Sequence, residues 1–262
     1  FNNKRIMRSL RNNIQFFPEY IEGSSLEDRH MFARKYIYEP FLENSIKWEI
    51  STGAFSTMFF QLYRKSVIDF VNYSEKNKIY LIADNSFEQK DYDAIKNAVE
   101  LKENFDKKNQ TEYEIAIEES KTFDKGTSPA EFIADLLLRG QLEIKVGCAK
   151  EFRSIHHIKE KIWTDEEENY VVLSGSGNAT YKGETQNNER GYVFYNWKDK
   201  RSELARMSFS KWWNDADQDF NFIPIPEAIK KSLIKIAPNN ENEYWKEIIE
   251  KYESDNNPII EK

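Results

Sequence analysis

The chain is punctuated by short apolar runs that are too brief and too regular to be anything but strands. In Ser45–Phe55 ("SIKWEISTGAF") the apolar residues Ile46, Trp48 and Ile50 alternate with polar ones, which predicts a strand. Lys78–Asp84 ("KIYLIAD") is a continuous apolar run of the kind buried on both faces of a sheet. Gln141–Ala149 predicts a third strand, and Ser154–Trp163, Asn169–Ser176 and Glu189–Trp197 predict three more. Helical spacing fills the gaps. Ser56–Val71 carries Phe59, Leu62, Tyr63 and Phe70 on one face, with Ser56 as a candidate cap. Lys90–Phe105 is helical. Ser128–Gly140 has a serine cap, Pro129 at the first helical position and glycine at the end.

The predicted order is strand, helix, strand, helix, helix, strand, then three strands in succession. That order implies an α/β fold: a mixed β-sheet flanked by helices, parallel at first and antiparallel in its later hairpins. "DEEEN", Asp165–Asn169, makes the turn of one hairpin. Three segments follow from the pattern. Residues 1–44 read as helical or irregular, with Pro18 and Pro40 as breakers; 45–216 form the sheet domain; 217–262 read as an extended linker and a helical C-terminal extension. The chain begins at Phe1, so it is expected to be a piece of a longer protein.

Composition narrows the class. The 262 residues are 39% hydrophobic and 15% aromatic, enough for a large core. A net charge of −7 argues against a dedicated duplex binder, whose affinity comes from neutralising phosphates. Cys148 is the only cysteine, so no disulfide framework or cysteine zinc site is expected, and no cofactor or metal is implied. No apolar run approaches the roughly 20 residues of a membrane span, so a soluble, cytoplasmic protein without membrane partners is expected.

Candidate chemistry lies in "HHIKEKIWTDEEENYVVLSGSGNAT", His156–Thr180. Strand alternation would put His157, Lys159 and Lys161 on one face, with Ile158 and Ile162 on the buried one. An imidazole beside an ammonium suits a phosphate: the lysine holds the anion, and the histidine attacks or transfers a proton. Gly175 and Gly177 let the backbone approach a ligand, and Ser176, Gly177 and Asn178 offer hydrogen-bond donors to it. Glu189, at the start of the next strand, is placed to orient the histidine ring. Each piece alone has an ordinary reading, as a surface pair, a turn and a solvated carboxylate. His156 points away and is expected to be structural. Thr52 and Ser56 are expected near the site mouth. Trp212 and Trp213 read as packing residues.

His157-x-Lys159 followed by Gly175-Ser176-x-Asn178 resembles the phospholipase D superfamily, over roughly residues 45–197. The resemblance implies a phospholipase D-like fold and catalytic roles for His157, Lys159, Asn178 and Glu189, with Ser176, Gly177 and Lys159 binding phosphate. The family's usual aspartate falls near Thr164, and Asp165 is one place off, so no role passes to it. The resemblance implies a metal-independent phosphodiesterase that works through a phosphohistidine. Since the chain carries one motif and the family's site uses two, it also implies a homodimer. "ISTGAFS" and "IYLIADNS" resemble the nuclease domain placed ahead of helicases in bacterial anti-phage defence and restriction proteins, and Phe209–Pro238 resembles the connector into the helicase. DNA is then the expected substrate and a helicase domain or subunit the expected partner. The alternatives are a degenerate dimerisation or DNA-sensing module and, behind it, a lipid phosphodiesterase.

Overall fold

The computed structural model describes residues 7–108, 129–151 and 154–236. Its strands are β1 (Lys47–Thr52), β2 (Lys78–Asp84), β3 (Ser86–Phe87), β4 (Leu142–Ala149), β5 (Glu160–Thr164), β6 (Tyr170–Gly175), β7 (Gly191–Tyr195), β8 (Phe220–Pro224) and β9 (Lys235–Ile236). Seven form one sheet in the order β7-β6-β5-β1-β2-β4-β8, and β3 pairs with β9 beside it. β1, β2 and β4 run parallel at the centre; β5, β6, β7 and β8 join antiparallel. The mixed sheet expected from the element order is present.

Two cores cover the sheet. On one face Trp48, Ile50, Leu81, Ile144 and Trp163 pack beneath helices that include Arg64–Tyr73, Gln89–Lys108 and Pro129–Leu138. On the other, Ile82, Ile162, Val172 and Phe222 meet Ala205 and Phe209 of the helix Arg201–Trp213. β2, at the centre, is covered on both sides, which is why it reads as an apolar run, while β1 and β4 carry polar residues on one face. Trp212 and Trp213 belong to this second core, as packing residues do.

Four details differ from the sequence reading. The strand expected from Ser154 begins at Glu160, and Ile158 is 42% exposed while Ile162 is fully buried. The cause is a competing bond: the His156 N–H goes to the Asp84 carboxylate at 3.1 Å instead of entering a ladder. The helix expected over Ser56–Val71 is two helices, Met58–Leu62 and Arg64–Tyr73, broken at Tyr63. Pro40 does not end its helix. A π-helical stretch, Arg34–Tyr38, runs directly into Glu39–Glu43, so Pro40 lies inside a continuous helix just after the wider π turn. Finally, part of the expected connector belongs to the sheet, since β8 lies along β4. The tail beyond Ile236 lies outside the described residues.

The "DEEEN" turn is built around Asp165. Its fully buried carboxylate accepts from the Leu10, Glu167 and Asn169 amides at 2.8–2.9 Å and from Asn169 Nδ2 at 3.1 Å. This turn joins the ends of β5 and β6 remote from Gly175, so Asp165 ties the N-terminal segment to the sheet and has no part in the candidate chemistry. Asp165→Ala leaves these donors unmet and is expected to cost about 2–4 kcal/mol. Urea unfolding measures this, and a loss below about 1 kcal/mol would contradict it.

Candidate active site

The sheet's topology gathers one set of loops at one edge. β1, β2, β4 and β6 end there, and β5 and β7 begin there. The candidate residues lie in the loops before β5, after β6 and before β7, so three sequence-distant segments converge.

Gly53, just after β1, marks the meeting point. A Cβ added to it would lie 2.7 Å from His157 Cδ2, 3.2 Å from the His156 carbonyl and 3.3 Å from Asn178 Oδ1. The His157 ring and the Asn178 amide thus sit against the same glycine, and only glycine permits that approach. Asn178 is held firmly. Its Oδ1 accepts from the Ala54 amide at 3.1 Å, which fixes the amide's orientation and leaves Nδ2 as a donor for a ligand. Thr52 Oγ1 accepts from the Ala179 amide at 2.8 Å and donates to the Ala54 carbonyl at 2.6 Å. Ser56 N–H donates to the Ala179 carbonyl at 3.1 Å. Both Thr52 and Ser56 therefore lie at the site. Gly183 is needed for the same loop, because a Cβ there would be 2.4 Å from the Asn178 carbonyl.

Lys159 is buried and donates to the His157 carbonyl at 3.0 Å. Burial holds its pKa below the ordinary lysine range; Glu189 opposes that and Lys161 reinforces it. Lys159, Lys161, Gly177 and Glu189 share the lining of a small cavity. Glu189 accepts from Asn187 Nδ2 at 3.1 Å, and no hydrogen bond joins it to His157 in the described structure. Its charge acts on Lys159. Ser176 is exposed and tied to Arg190: its Oγ accepts from the Arg190 amide and its N–H donates to the Arg190 carbonyl, both at 3.0 Å. The structure thus groups His157 with Asn178, and Lys159 with Gly177 and Glu189, in adjoining halves of one edge.

Two features were not read from the sequence. Beneath Gly177 lies a buried ion pair, Lys161–Glu184, at 2.9 Å with 5% and 7% of the side chains exposed. Lys161 also donates to the Gly177 carbonyl at 3.2 Å, and Glu184 accepts from Tyr38 Oη at 2.8 Å and Tyr63 Oη at 3.0 Å. Asp84 is the second. It anchors the backbone just before His157 and is electrostatically coupled to that ring; burial raises its pKa. Only the placement of Lys161 on the face of Lys159 was legible, from strand alternation.

His156 is the structural partner of the pair. Its Nε2 lies 2.7 Å from Ser51 Oγ, and its ring packs edge-on to Trp212 and Phe222 at 5.1 and 5.3 Å. Burial pulls its pKa down to about 4.

No family model matches the chain, and no curated protein matches its sequence. Among solved structures it is similar to NucT from Helicobacter pylori, with 10% identity over 71% of this chain and 86% of that one and a TM-score of 0.40. It is also similar to a phospholipase D family member, Nuc from Salmonella typhimurium, with 14% identity over 78% and 94% of the two chains and a TM-score of 0.41. At such distances the site's own residues have to carry the functional reading.

The His156 environment has a pH consequence. The folded state favours the neutral ring, while the unfolded chain takes up a proton below its ordinary pKa near 6.5. Stability from this group is complete above pH 6.5 and is lost as pH falls towards 4, by on the order of 3 kcal/mol. Asp91, pushed up to about 6 by burial, titrates with the opposite sign, so the comparison is against His156→Phe. Denaturant unfolding of both proteins from pH 7 to 4 should show the parent losing stability relative to the variant. Parallel curves would refute the assignment.

Proposed function

We propose that this chain is a metal-independent phosphodiesterase that cleaves nucleic acid, DNA first among the candidates, with a site completed by a second copy of itself. The observation that carries the reading is the meeting of the His157 ring and the Asn178 amide at Gly53, with Lys159 beside them, in a chain that holds a single His-x-Lys and Gly-Ser-x-Asn set.

In the reaction, a ring nitrogen of His157 attacks phosphorus, a P–N bond forms and the P–O bond to the leaving group breaks. His157 of the second copy protonates the departing oxygen. That imidazole then takes a proton from water, which attacks phosphorus and breaks the P–N bond. Lys159 and the Asn178 Nδ2 donor neutralise the non-bridging oxygens. Gly177 lets the chain approach the phosphate, and Ser176 shapes the turn. Glu189 keeps Lys159 protonated against the burial that disfavours its charge.

The dimer is supported by the surface around the nucleophile. Ile155 and Ile158 are 59% and 42% exposed and flank the exposed His157. Apolar side chains bracketing a polar reaction centre suit an isologous contact across a two-fold axis. The wider role, as a nuclease linked to a helicase in bacterial anti-phage defence or restriction, rests on the sequence resemblances of Ile50–Ser56, Ile79–Ser86 and Phe209–Pro238.

The test is cleavage of a labelled oligonucleotide in EDTA. His157→Ala is expected to lose at least about a thousandfold in rate, and an acid-labile covalent phosphoenzyme should form with the parent protein alone. Cleavage that needs magnesium, or that survives the substitution, would sink the mechanism.

A further inference from the structure

Four adjacent chain segments lead outward from Lys159. The Gly175 amide donates to the Lys159 carbonyl, Gly175 is paired with Gly191 across β6 and β7, and the Ile21 amide donates to the Gly191 carbonyl. The segment around Tyr20 thus adds to the edge of β7, and Tyr20 and Tyr192 are bridge partners. Two strand spacings, about 10 Å, separate Lys159 from β7.

At this outer edge the two tyrosines stand 51% and 48% exposed. Cross-strand partners project to the same side, so both phenols stand on one face of this edge. They line a cavity of about 450 Å³ together with Arg29 and Arg190. Arg29 is held in place by bonds to the Gly23 carbonyl at 3.1 Å and to Asn188 Oδ1. This cavity shares Ile21, Arg29, Glu189, Arg190 and Gly191 with the small cavity at Lys159, so the two adjoin. Strand alternation turns the tyrosines to the sheet face opposite Lys159. A polymer that touches both must cross the sheet's end, past Arg190.

We propose that Tyr20 and Tyr192 form a stacking shelf for unpaired bases, so that the substrate is a single-stranded nucleic acid whose backbone passes Arg29 and Arg190. This rests on the phosphodiesterase reading above and names its substrate class. Two half-exposed phenols offer π-faces to any base, whereas the bases of a duplex are stacked and paired within it. The charges agree. Glu22 and Glu189 line the same cavity as the two arginines, so it is no basic track, and the whole chain carries −7. Affinity must then come from stacking more than from counterion release.

The experiment compares Tyr20→Leu, Tyr192→Leu and the double variant with the parent protein. Binding of an oligothymidylate is followed by fluorescence anisotropy in the His157→Ala background. Each substitution is expected to weaken it about tenfold, and the pair about a hundredfold. Tyr→Phe at either position should restore binding. The parent's log–log salt dependence should have a slope of about −1 to −2, as for two phosphate contacts on a single strand. Hydrolysis of methyl nitrophenyl phosphate, which has no base to stack, should be unchanged in the tyrosine variants. Unchanged oligothymidylate binding, or equal weakening towards a blunt duplex, overturns the shelf. Failure of the parent to hydrolyse the small diester overturns the phosphodiesterase reading instead, and the binding data still decide the shelf.

Discussion

The Lys161–Glu184 pair is the interaction on which the rest of the edge depends. Removing two charges from water is costly, and the pair is tolerable because its other hydrogen-bonding capacity is also used. Tyr38 and Tyr63 donate to the carboxylate, and Lys161 donates to the Gly177 carbonyl. These partners come from different places: the helical stretch before β1, the break between two helices after β1, the strand β5, and the short helix Tyr181–Thr185 that follows Asn178. One buried carboxylate therefore registers the N-terminal helices, the sheet and the glycine-containing loop against each other. The two tyrosines stack at 3.9 Å, which keeps both hydroxyls aimed at Glu184. The helix break at Tyr63 makes sense in this light, because it falls at the residue whose hydroxyl must reach the pair.

The same pair sets the electrostatics above it. Lys161 is neutralised by Glu184, and Lys159 is opposed by Glu189. The lining of this cavity therefore sets Glu184 and Glu189 against Lys159, Lys161, Arg29 and Arg190 before any ligand arrives. In the proposed reaction Lys159 is the cation at the phosphate, while Lys161 works from below, through the backbone of Gly177. The mixed charge also fits an acidic chain, since the phosphate is held by a few placed donors and not by a basic surface.

The sheet was legible from two signals: Lys78–Asp84 is a near-continuous apolar run because it is buried on both faces, and β1 shows the alternation of Trp48 and Ile50 with polar residues. His157, Lys159, Asn178 and Glu189 were legible as a motif, in order. Their partners were not. Glu184 lies in a polar stretch where a carboxylate reads as solvated; only the fold brings Tyr38, Tyr63 and Lys161 to it. Ser154–Lys159 alternates like a strand, and nothing local reveals that Asp84 and Ser51, far away in sequence, claim the backbone and ring of His156. β8 was masked by Pro224 and Pro226, which suggest a linker; as the last strand of the sheet it has one side free of ladder bonds, so proline at its end is no obstacle.

The doubled histidine shows how one dipeptide divides two tasks. His156 is buried among Trp212, Phe220 and Phe222 and is held neutral, so it serves as a peg. Asp84 and Ser51 grip that peg, and His157, the next residue, is thereby set against Gly53 with its ring in solvent. In the proposed reaction, a nucleophile as exposed as His157 is poorly served by one chain. Attack in line with a leaving oxygen needs an acid on the far side of the phosphate, and the described groups around His157 are already engaged: the Asn178 amide oxygen accepts from the Ala54 amide, Lys159 donates to the His157 carbonyl, and Asp84 accepts from the His156 amide. Under the proposed mechanism the missing acid must come from outside the chain. In the proposed dimer the exposed isoleucines on either side of His157 are what a matching surface, with its own His157, covers.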